Sequence, residues 1–220
     1  MPLAPGLQAA IVDLDGTLVD TLGDFTVALD ATFSELSLPS LDAARIELMV
    51  GKGSEHLIRS ALAAVSGSPA LYDAAWDAYQ RHYLAVNGKH SDVYAGVEEG
   101  LRVLRDEGLR LACVTNKPTR FAVELLERKG LAAAFEAVFG GDAFERKKPD
   151  PLPFLRTCAA LGSAPGRTLV IGDSSNDAAA ARAAGCPVVL VRYGYNHGEP
   201  VDSVDADGFV DSLAEIGRLL

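Results

Sequence analysis

The segment LQAAIVDLDGTLVDT, which spans residues 7–21, decides the fold. It begins as a run of apolar residues and then reaches two acids, Asp13 and Asp15, that are followed by a glycine. A short apolar run bounded by turn residues is typical of a strand that is buried on both faces of a parallel sheet. Ligands of parallel sheets bind at the carboxyl ends of the strands, so the two acids occupy a position where a functional site is expected.

The second half of the chain repeats this kind of strand in alternation with helices. Each of four segments with helical periodicity ends in a glycine, a residue that adopts the left-handed cap conformation without steric cost. Buried strands that alternate with helices predict an α/β fold whose Rossmann-like parallel sheet is covered on both faces. The expected strands are 109–115, 137–140, 167–173 and 187–191, with a weaker one at 207–210, and the capping glycines are Gly108, Gly130, Gly162 and Gly185.

Residues 21–90 interrupt the alternation with a purely helical pattern. We therefore expect a small all-helical domain, residues 21–93, inserted into an α/β core formed by residues 1–20 and 94–220. Its aromatic residues are expected to form the interior of the inserted domain rather than a surface for a ligand. The expected helices are 21–36, 42–50, 54–65 and 69–86, and the aromatic residues of the last are Tyr72, Trp76, Tyr79 and Tyr83.

The composition narrows the range of partners and compartments. With 20 basic and 30 acidic residues, the chain has a net charge of −10, which argues against a general nucleic-acid-binding protein but not against a small phosphate ligand. Three widely spaced cysteines fit reduced thiols in a cytoplasmic protein. No apolar run reaches the ~20 residues of a membrane span, and we recognise no signal peptide. We expect neither a nucleic acid nor a membrane as a partner, and the oligomeric state is left open.

Four acids follow two of the expected strands. Asp13 and Asp15 follow the first strand, and Asp173 and Asp177 follow the strand at 167–173. Clustered carboxylates repel one another unless a cation lies among them, and a site made only of oxygen ligands suits Mg²⁺. Either pair alone could be a solvated turn or a helix N-cap. Because both pairs follow strongly apolar strands, the sequence favours a magnesium site.

A second group of residues is suited to bind phosphate. Thr115 and Asn116 lie where a strand ends and a helix begins, which is a natural anion site, although each could simply cap that helix. Lys148 lies in a basic loop of an acidic protein and precedes a proline that restricts it to an extended backbone. We expect Lys148 to serve the site, and we expect the preceding Arg146 and Lys147 to be solvated.

These motifs resemble the four motifs of the haloacid dehalogenase superfamily, and the resemblance extends over essentially the whole chain. The matching segments are residues 13–21, 114–116, 148–149 and 172–177. The second acid of the first motif, Asp15, is a feature of the phosphatase branch. Residues 115–119, 140–142, 147–151 and 193–199 are similar to the phosphoglycolate phosphatase subfamily. The helical insert resembles the cap domain of the first cap class.

The resemblance implies a magnesium-dependent phosphomonoesterase that hydrolyses 2-phosphoglycolate. Asp13 would be the nucleophile that forms an aspartyl-phosphate, and Asp15 would act as acid and then as base. Magnesium would be bound by the carboxylates of Asp13 and Asp173 and by the backbone carbonyl of Asp15.

The resemblance also implies how the phosphate is held. Thr115, Asn116 and Lys148 would contact the phosphoryl oxygens, and Asp177 would orient Lys148 or a metal-bound water. Discrimination between substrates would come from the cap, where Lys52 is the candidate for contact with the substrate carboxylate. An ordinary flexible turn with a surface lysine fits the sequence around Lys52 equally well.

Two other functions are open on the sequence alone. One is a small-molecule phosphatase that acts on a sugar phosphate or on pyrophosphate, because the core motifs account for the phosphate group and not for the rest of the substrate. The other is a non-catalytic protein that binds a phosphorylated metabolite. A protein that only binds does not need both Asp13 and Asp15, so the sequence disfavours this second alternative.

Overall fold

Eight strands and eight α-helices make up residue 3 and residues 6–220, the part of the chain described by this computed structural model. The strands are β1 (Ala9–Val12), β2 (Val19–Asp20), β3 (Asp92–Val93), β4 (Arg110–Val114), β5 (Ala137–Phe139), β6 (Thr168–Gly172), β7 (Val188–Val191) and β8 (Gly208–Val210). The helices are α1 (Leu22–Glu35), α2 (Ala43–Glu47), α3 (Ser54–Ala64), α4 (Tyr72–Val86), α5 (Val97–Asp106), α6 (Thr119–Arg128), α7 (Leu152–Ala160) and α8 (Ser175–Ala184).

Six of the strands form one parallel sheet in the order β5-β4-β1-β6-β7-β8. β1 lies inside this sheet, where Val12 is paired with Cys113 of β4 and with Ile171 of β6. All four residues of β1 are buried because helices cover both faces of the sheet. The α/β fold predicted from the sequence is confirmed, and the carboxyl ends of β1, β4 and β6 lie side by side.

The two faces of β1 pack against different pairs of helices. Ala10 and Val12 belong to a hydrophobic cluster with residues of α5 and α6, whereas Ile11 belongs to one with residues of α7 and α8. The glycines expected at the ends of these four helices, Gly108, Gly130, Gly162 and Gly185, all have positive φ angles. No helix within the described residues combines the length and the apolar character needed to cross a membrane.

Helices α1 to α4 form the helical insert, which lies between β2 and β3. Its interior includes Tyr79 and Tyr83, 0% and 1% exposed, whereas Tyr72 and Trp76, also expected in the interior, are half-buried and pack against its edge. The helix expected over 42–50 ends already at Glu47, so the following residues form a loop that reaches the core. The antiparallel pair of β2 and β3 was not predicted because two residues per strand are too few to show a periodicity.

Two buried side chains fix the points where the chain leaves and re-enters the core. The carboxylate of Asp24 in α1 accepts hydrogen bonds from the backbone N–H groups of Gly88 at 2.7 Å and His90 at 2.8 Å. The amide of Asn87 donates to the carbonyl oxygen of Phe121 in α6 at 3.0 Å. The bonds of Asp24 therefore join the first helix of the insert to its last residues, and the bond from Asn87 to Phe121 ties the insert to the core.

Candidate active site

The sheet brings seven residues singled out in the sequence to one place, and each is at most 8% exposed. They come from the loops that follow three neighbouring strands, from the first turn of α8, and from the loop that precedes α7, where the Lys148–Pro149 peptide bond is cis. This convergence follows from parallel strand order, which places the carboxyl ends of β1, β4 and β6 at a common edge. The seven residues are Asp13, Asp15, Thr115, Asn116, Lys148, Asp173 and Asp177.

Lys148 is held between two carboxylates. Its Nζ lies 2.8 Å from Asp13 Oδ1 and 2.7 Å from Asp177 Oδ1, and it donates a hydrogen bond to the carbonyl oxygen of Val114 at 3.1 Å. Burial lowers the pKa of Lys148, but Asp13 and Asp177 together raise the pKa by more, so the ammonium stays charged. Asp177 also accepts a hydrogen bond from the N–H of Ser174 at 3.3 Å at the start of α8. Asp177 therefore serves both as part of a helix cap and as the partner of Lys148.

Three acids form a cluster that fits a cation. Carboxylate oxygens of Asp13, Asp173 and Asp177 lie within 4.8 Å of one another. Burial raises the pKa of Asp13 to about 7 and raises the pKa of Asp173 well above its usual range, with Asp177 adding to both shifts. A divalent cation would keep both groups ionised at neutral pH, because its charge offsets burial and repulsion. The all-oxygen donor set fits Mg²⁺.

A glycine permits the close packing of this cluster. Gly16, directly after Asp15, has a φ angle of +83°, and a side chain at this position would collide with the carboxylate of Asp173 and with the ring of Tyr195. The backbone N–H of Tyr195 donates to Asp173 Oδ2 at 2.6 Å. The loop after β1 can therefore lie directly against the loops after β6 and β7 only without a side chain at residue 16.

The carboxylate of Asp15 points away from the acidic cluster and is paired with Lys117. Lys117 Nζ lies 2.8 Å and 3.1 Å from the two oxygens of Asp15, and the hydroxyl of Thr21 donates to Asp15 Oδ1 at 2.8 Å. The Lys117 side chain is 2% exposed. Its Nζ also lies 4.5 Å and 4.7 Å from the ring centroids of Phe25 and Tyr83, which belong to the insert.

Lys117 was given no role by sequence reasoning, although it lies directly after Thr115 and Asn116. One signal could have singled it out. A lysine at the carboxyl end of a strand that ends in a binding motif is expected to be buried, and a buried lysine needs an acid. The acid that meets this need is Asp15, 102 positions earlier in the chain.

A pocket lies between the core and the insert, next to Asp13 and Asp15. The core contributes carboxylates and the residues after β4, whereas the insert contributes mostly apolar groups. Its lining includes Asp13, Asp15, Thr115, Asn116 and Lys117 from the core, and Phe25, Met49, Val50, Gly51, Gly53, Ser54 and Leu57 from the insert.

Lys52 does not line this pocket, although both flanking glycines do. Gly51 and Gly53 have φ angles of +101° and +88°, so the loop adopts a conformation that brings its backbone rather than the Lys52 side chain to the pocket. The predicted contact between Lys52 and the substrate stays a prediction. Of the two basic residues expected to be solvated, Arg146 is paired with Asp150 on the surface, whereas Lys147 is paired with Glu55 of the insert at 3.2 Å.

The side chain of Asn116 ties the insert to the core. Its Nδ2 donates to the carbonyl oxygens of Gly51 and Lys148, each at 3.0 Å. Asn176 of α8 makes a longer contact of 3.4 Å with the same Gly51 oxygen. Because both N–H bonds of the Asn116 amide are engaged in these contacts, the donor that Asn116 has left for an anion in the pocket is its backbone N–H.

Comparison with known proteins agrees with this geometry. A family model described as haloacid dehalogenase-like hydrolase matches residues 10–191. The phosphoglycolate phosphatase of Thiobacillus denitrificans is 43% identical over 217 residues, which cover 97% of this chain and 96% of that protein. The phosphoglycolate phosphatase of Nitrosococcus oceani is 41% identical, with coverage of 97% and 96%.

A solved structure shares the fold over nearly its full length. The crystal structure named as a predicted phosphoglycolate phosphatase from Haemophilus somnus superposes with a TM-score of 0.92 at 30% sequence identity. The match covers 97% of each chain, so it includes both the parallel sheet and the helical insert.

Proposed function

We propose that this chain, which belongs to the haloacid dehalogenase-like hydrolase family and is a phosphoric monoester hydrolase, hydrolyses 2-phosphoglycolate to glycolate and phosphate. The observation that carries the proposal is the pocket between the core and the insert, which is lined by Asp13, Asp15 and a buried cation, Lys117. Apolar walls with a few converging polar groups are typical of a site for a small ligand. The names of the relatives that match nearly the whole chain support the same substrate.

The reaction that we propose proceeds in two steps on Asp13. The carboxylate of Asp13 attacks phosphorus, a bond forms between its oxygen and phosphorus, and the bond from phosphorus to the glycolate oxygen breaks. Asp15 gives its proton to the departing glycolate oxygen. In the second step Asp15 takes a proton from a water molecule, whose oxygen attacks the aspartyl-phosphate and releases phosphate, and Asp13 is regenerated.

We propose that three groups around Asp13 hold the phosphoryl oxygens. Lys148 lies 2.8 Å from the Asp13 carboxylate and keeps its charge, because Asp177 fixes it from the other side. The hydroxyl of Thr115 and the backbone N–H of Asn116 provide donors at the carboxyl end of β4, where an anion is favoured. Donors that are fixed before the reaction stabilise charge on the phosphoryl group without further rearrangement.

Magnesium would be held by the carboxylates of Asp13 and Asp173 and by the backbone carbonyl of Asp15. When bound, it would offset the repulsion between the anionic nucleophile and the anionic phosphate. We further propose that residues 21–93 form a cap domain on a core of residues 1–20 and 94–220. The ties from Asn116 and Asn176 to Gly51 support this arrangement, in which the cap excludes water from the pocket during the reaction.

The test is a kinetic comparison over a panel of phosphate esters. The wild-type protein should give a higher kcat/KM with 2-phosphoglycolate than with hexose phosphates, pyrophosphate or p-nitrophenyl phosphate. A hexose phosphate that exceeds 2-phosphoglycolate would show that the substrate is wrong while the phosphatase activity stands. Hydrolysis of none of the esters would contradict the proposed reaction itself.

A metal titration tests the proposed cofactor. Chelation of divalent cations should abolish hydrolysis, and Mg²⁺ should restore it. Ca²⁺ should inhibit, because it accepts more oxygen ligands at longer distances and would bind both oxygens of Asp13. The Asp173→Ala variant should need a much higher Mg²⁺ concentration, and full activity in the presence of the chelator would contradict the site.

A further inference from the structure

We propose that Lys117 binds the carboxylate of the substrate and that this contact selects esters whose leaving group carries a carboxylate. The inference rests on the proposed function and deepens it. Sequence reasoning expected a cation of the insert, Lys52, in this role. The geometry points instead to a lysine of the core, which lines the pocket together with Asp13 and Asp15.

Lys117 lies where the covalent structure of 2-phosphoglycolate would place the substrate carboxylate. To protonate the leaving oxygen, Asp15 must come within hydrogen-bond distance of it. In 2-phosphoglycolate the carboxyl carbon is two bonds from that oxygen, so the carboxylate comes to lie next to Asp15. The group that lies next to Asp15 in the structure is the ammonium of Lys117, at 2.8 Å and 3.1 Å from its two oxygens.

The surroundings of Lys117 strengthen a contact with an anion. The ammonium is contacted by the rings of Phe25 and Tyr83 of the insert and is shielded from solvent. Charges attract more strongly where water is excluded. An ammonium has three N–H donors, and its two contacts with Asp15 leave one for a second carboxylate. The insert therefore shields the Lys117 ammonium from water, although Lys117 itself belongs to the core.

An unpaired donor lies in the same aromatic cluster. The hydroxyl group of Tyr83 is buried and has no hydrogen-bond partner within the described residues. The ring of Tyr83 stacks on that of Tyr79 and lies beneath the Lys117 ammonium. A buried hydroxyl normally has an acceptor, and the oxygens of the nearby Asp15 are already engaged by Lys117 and Thr21. A ligand carboxylate next to Lys117 would offer this hydroxyl an acceptor.

The experiment measures binding apart from turnover, in the Asp13→Asn protein with Mg²⁺. Its ligands are 2-phosphoglycolate and 2-phosphoglycolamide, which has nearly the same size but no carboxylate charge. The Asp13→Asn protein should prefer the carboxylate, and the further Lys117→Met substitution should reduce this preference by about 10–150-fold, the range for one charge-assisted contact. Lys117→Arg should keep most of it. An unchanged preference, or an equal loss for both ligands, would overturn the inference.

Matched controls separate Lys117 from other cations near the pocket. Lys147→Met removes a positive charge that is paired with Glu55 outside the pocket lining, and it should leave the preference unchanged. Lys52→Met tests the role predicted from the sequence. If Lys52→Met abolishes the preference and Lys117→Met does not, the carboxylate contact belongs to Lys52 and our inference is wrong.

Removing Lys117 leaves Asp15 with a buried charge, so the single variant can fail to fold. The Asp15→Asn/Lys117→Met pair removes both charges and is compared with Asp15→Asn alone, each in the Asp13→Asn protein. The preference should fall by the same factor, and its persistence would again overturn the inference. Kinetics of the wild-type protein distinguish failure of the proposed substrate from failure of the role of Lys117. If the wild-type protein hydrolyses 2-phosphoglycolamide as well as 2-phosphoglycolate, the proposed substrate is wrong. If the wild-type protein prefers 2-phosphoglycolate and this preference survives the loss of Lys117, only the role of Lys117 is refuted.

Discussion

Two buried lysines, Lys148 and Lys117, each hold an acid of the first motif, but they do so in different surroundings. Lys148 pairs with Asp13 and Asp177 among loops of the core. Lys117 pairs with Asp15, and aromatic rings of the insert complete its surroundings. The groups paired with the nucleophile Asp13 thus all belong to the core. The surroundings of the acid–base group, Asp15, are complete only when the insert packs on the core. We infer that attack by Asp13 depends on the core alone, whereas proton transfer by Asp15 and substrate choice by Lys117 depend also on the insert.

The largest effect that tests this division is expected at the nucleophile. Asp13→Asn should reduce kcat by about 10⁴–10⁶-fold, as is typical when an essential catalytic group is removed, because a neutral amide does not attack phosphorus. Since the side chain keeps nearly the same volume, the far-UV circular dichroism should not change. Steady-state hydrolysis near the wild-type rate would show that Asp13 is not the nucleophile. The proposed difference between Lys148 and Lys117 would then also be lost.

A smaller loss is expected at the acid–base group. Asp15→Asn should lower kcat by about 10²–10⁴-fold, because proton transfer to the leaving oxygen and from water is lost. Phosphorylated Asp13 should accumulate if its hydrolysis slows more than its formation, and mass spectrometry of rapidly quenched protein would detect it. A variant as fast as the wild type would show that Asp15 transfers no proton.

The same contrast explains what the sequence could predict. The strands β1, β4 and β6 each end in polar residues, and parallel order alone brings those ends together. The amino-acid sequence is therefore sufficient to place Asp13, Thr115 and Asp173 near one another, whereas Lys148, in the loop before α7, is assigned to the site from its basic loop and from the family resemblance. The position of each of the first three is indicated by residues a few positions away, namely the apolar strand that precedes it.

Parallel order also brings Asp15 and Lys117 to this edge of the sheet, but it does not show that they form a pair. The surroundings of the pair depend on Phe25 and Tyr83, which lie on two helices of the insert, and no local pattern states how these helices pack on the core. The same limit applies to the loop after α2. Its two glycines predict a close approach to the core, but not that the backbone faces the pocket while Lys52 lies outside the lining.

Stability measurements sharpen the comparison of the two lysines. Lys148→Met and Lys117→Met should each lower the free energy of unfolding by about 3–5 kcal/mol in the absence of metal, because each leaves buried carboxylates without their cation. Mg²⁺ should restore part of the stability of Lys148→Met, since Asp13 would still face a cation. It should restore less in Lys117→Met, because the Asp15 carboxylate points away from the acidic cluster.

Urea unfolding of both variants with and without Mg²⁺ measures this difference, and the wild-type protein provides the effect of Mg²⁺ on the intact site. An equal gain for both variants would mean that the two lysines belong to one electrostatic unit, which contradicts the division between core and insert.

The smallest effect is expected where the insert touches the core. Asn176→Ala removes the longer of two contacts to the Gly51 carbonyl and leaves that of Asn116 at 3.0 Å; it also removes a 3.2 Å contact with His197 of the core. The loss of the hydrogen bond to the insert, about 0.5–1.5 kcal/mol, should weaken closure of the insert and raise KM for 2-phosphoglycolate by about 2–10-fold. Because Asn176 makes no contact with the acids of the first motif, kcat should change less than KM. A fall in kcat without a change in KM would show that Asn176 acts on the chemistry through α8 rather than on the position of the insert.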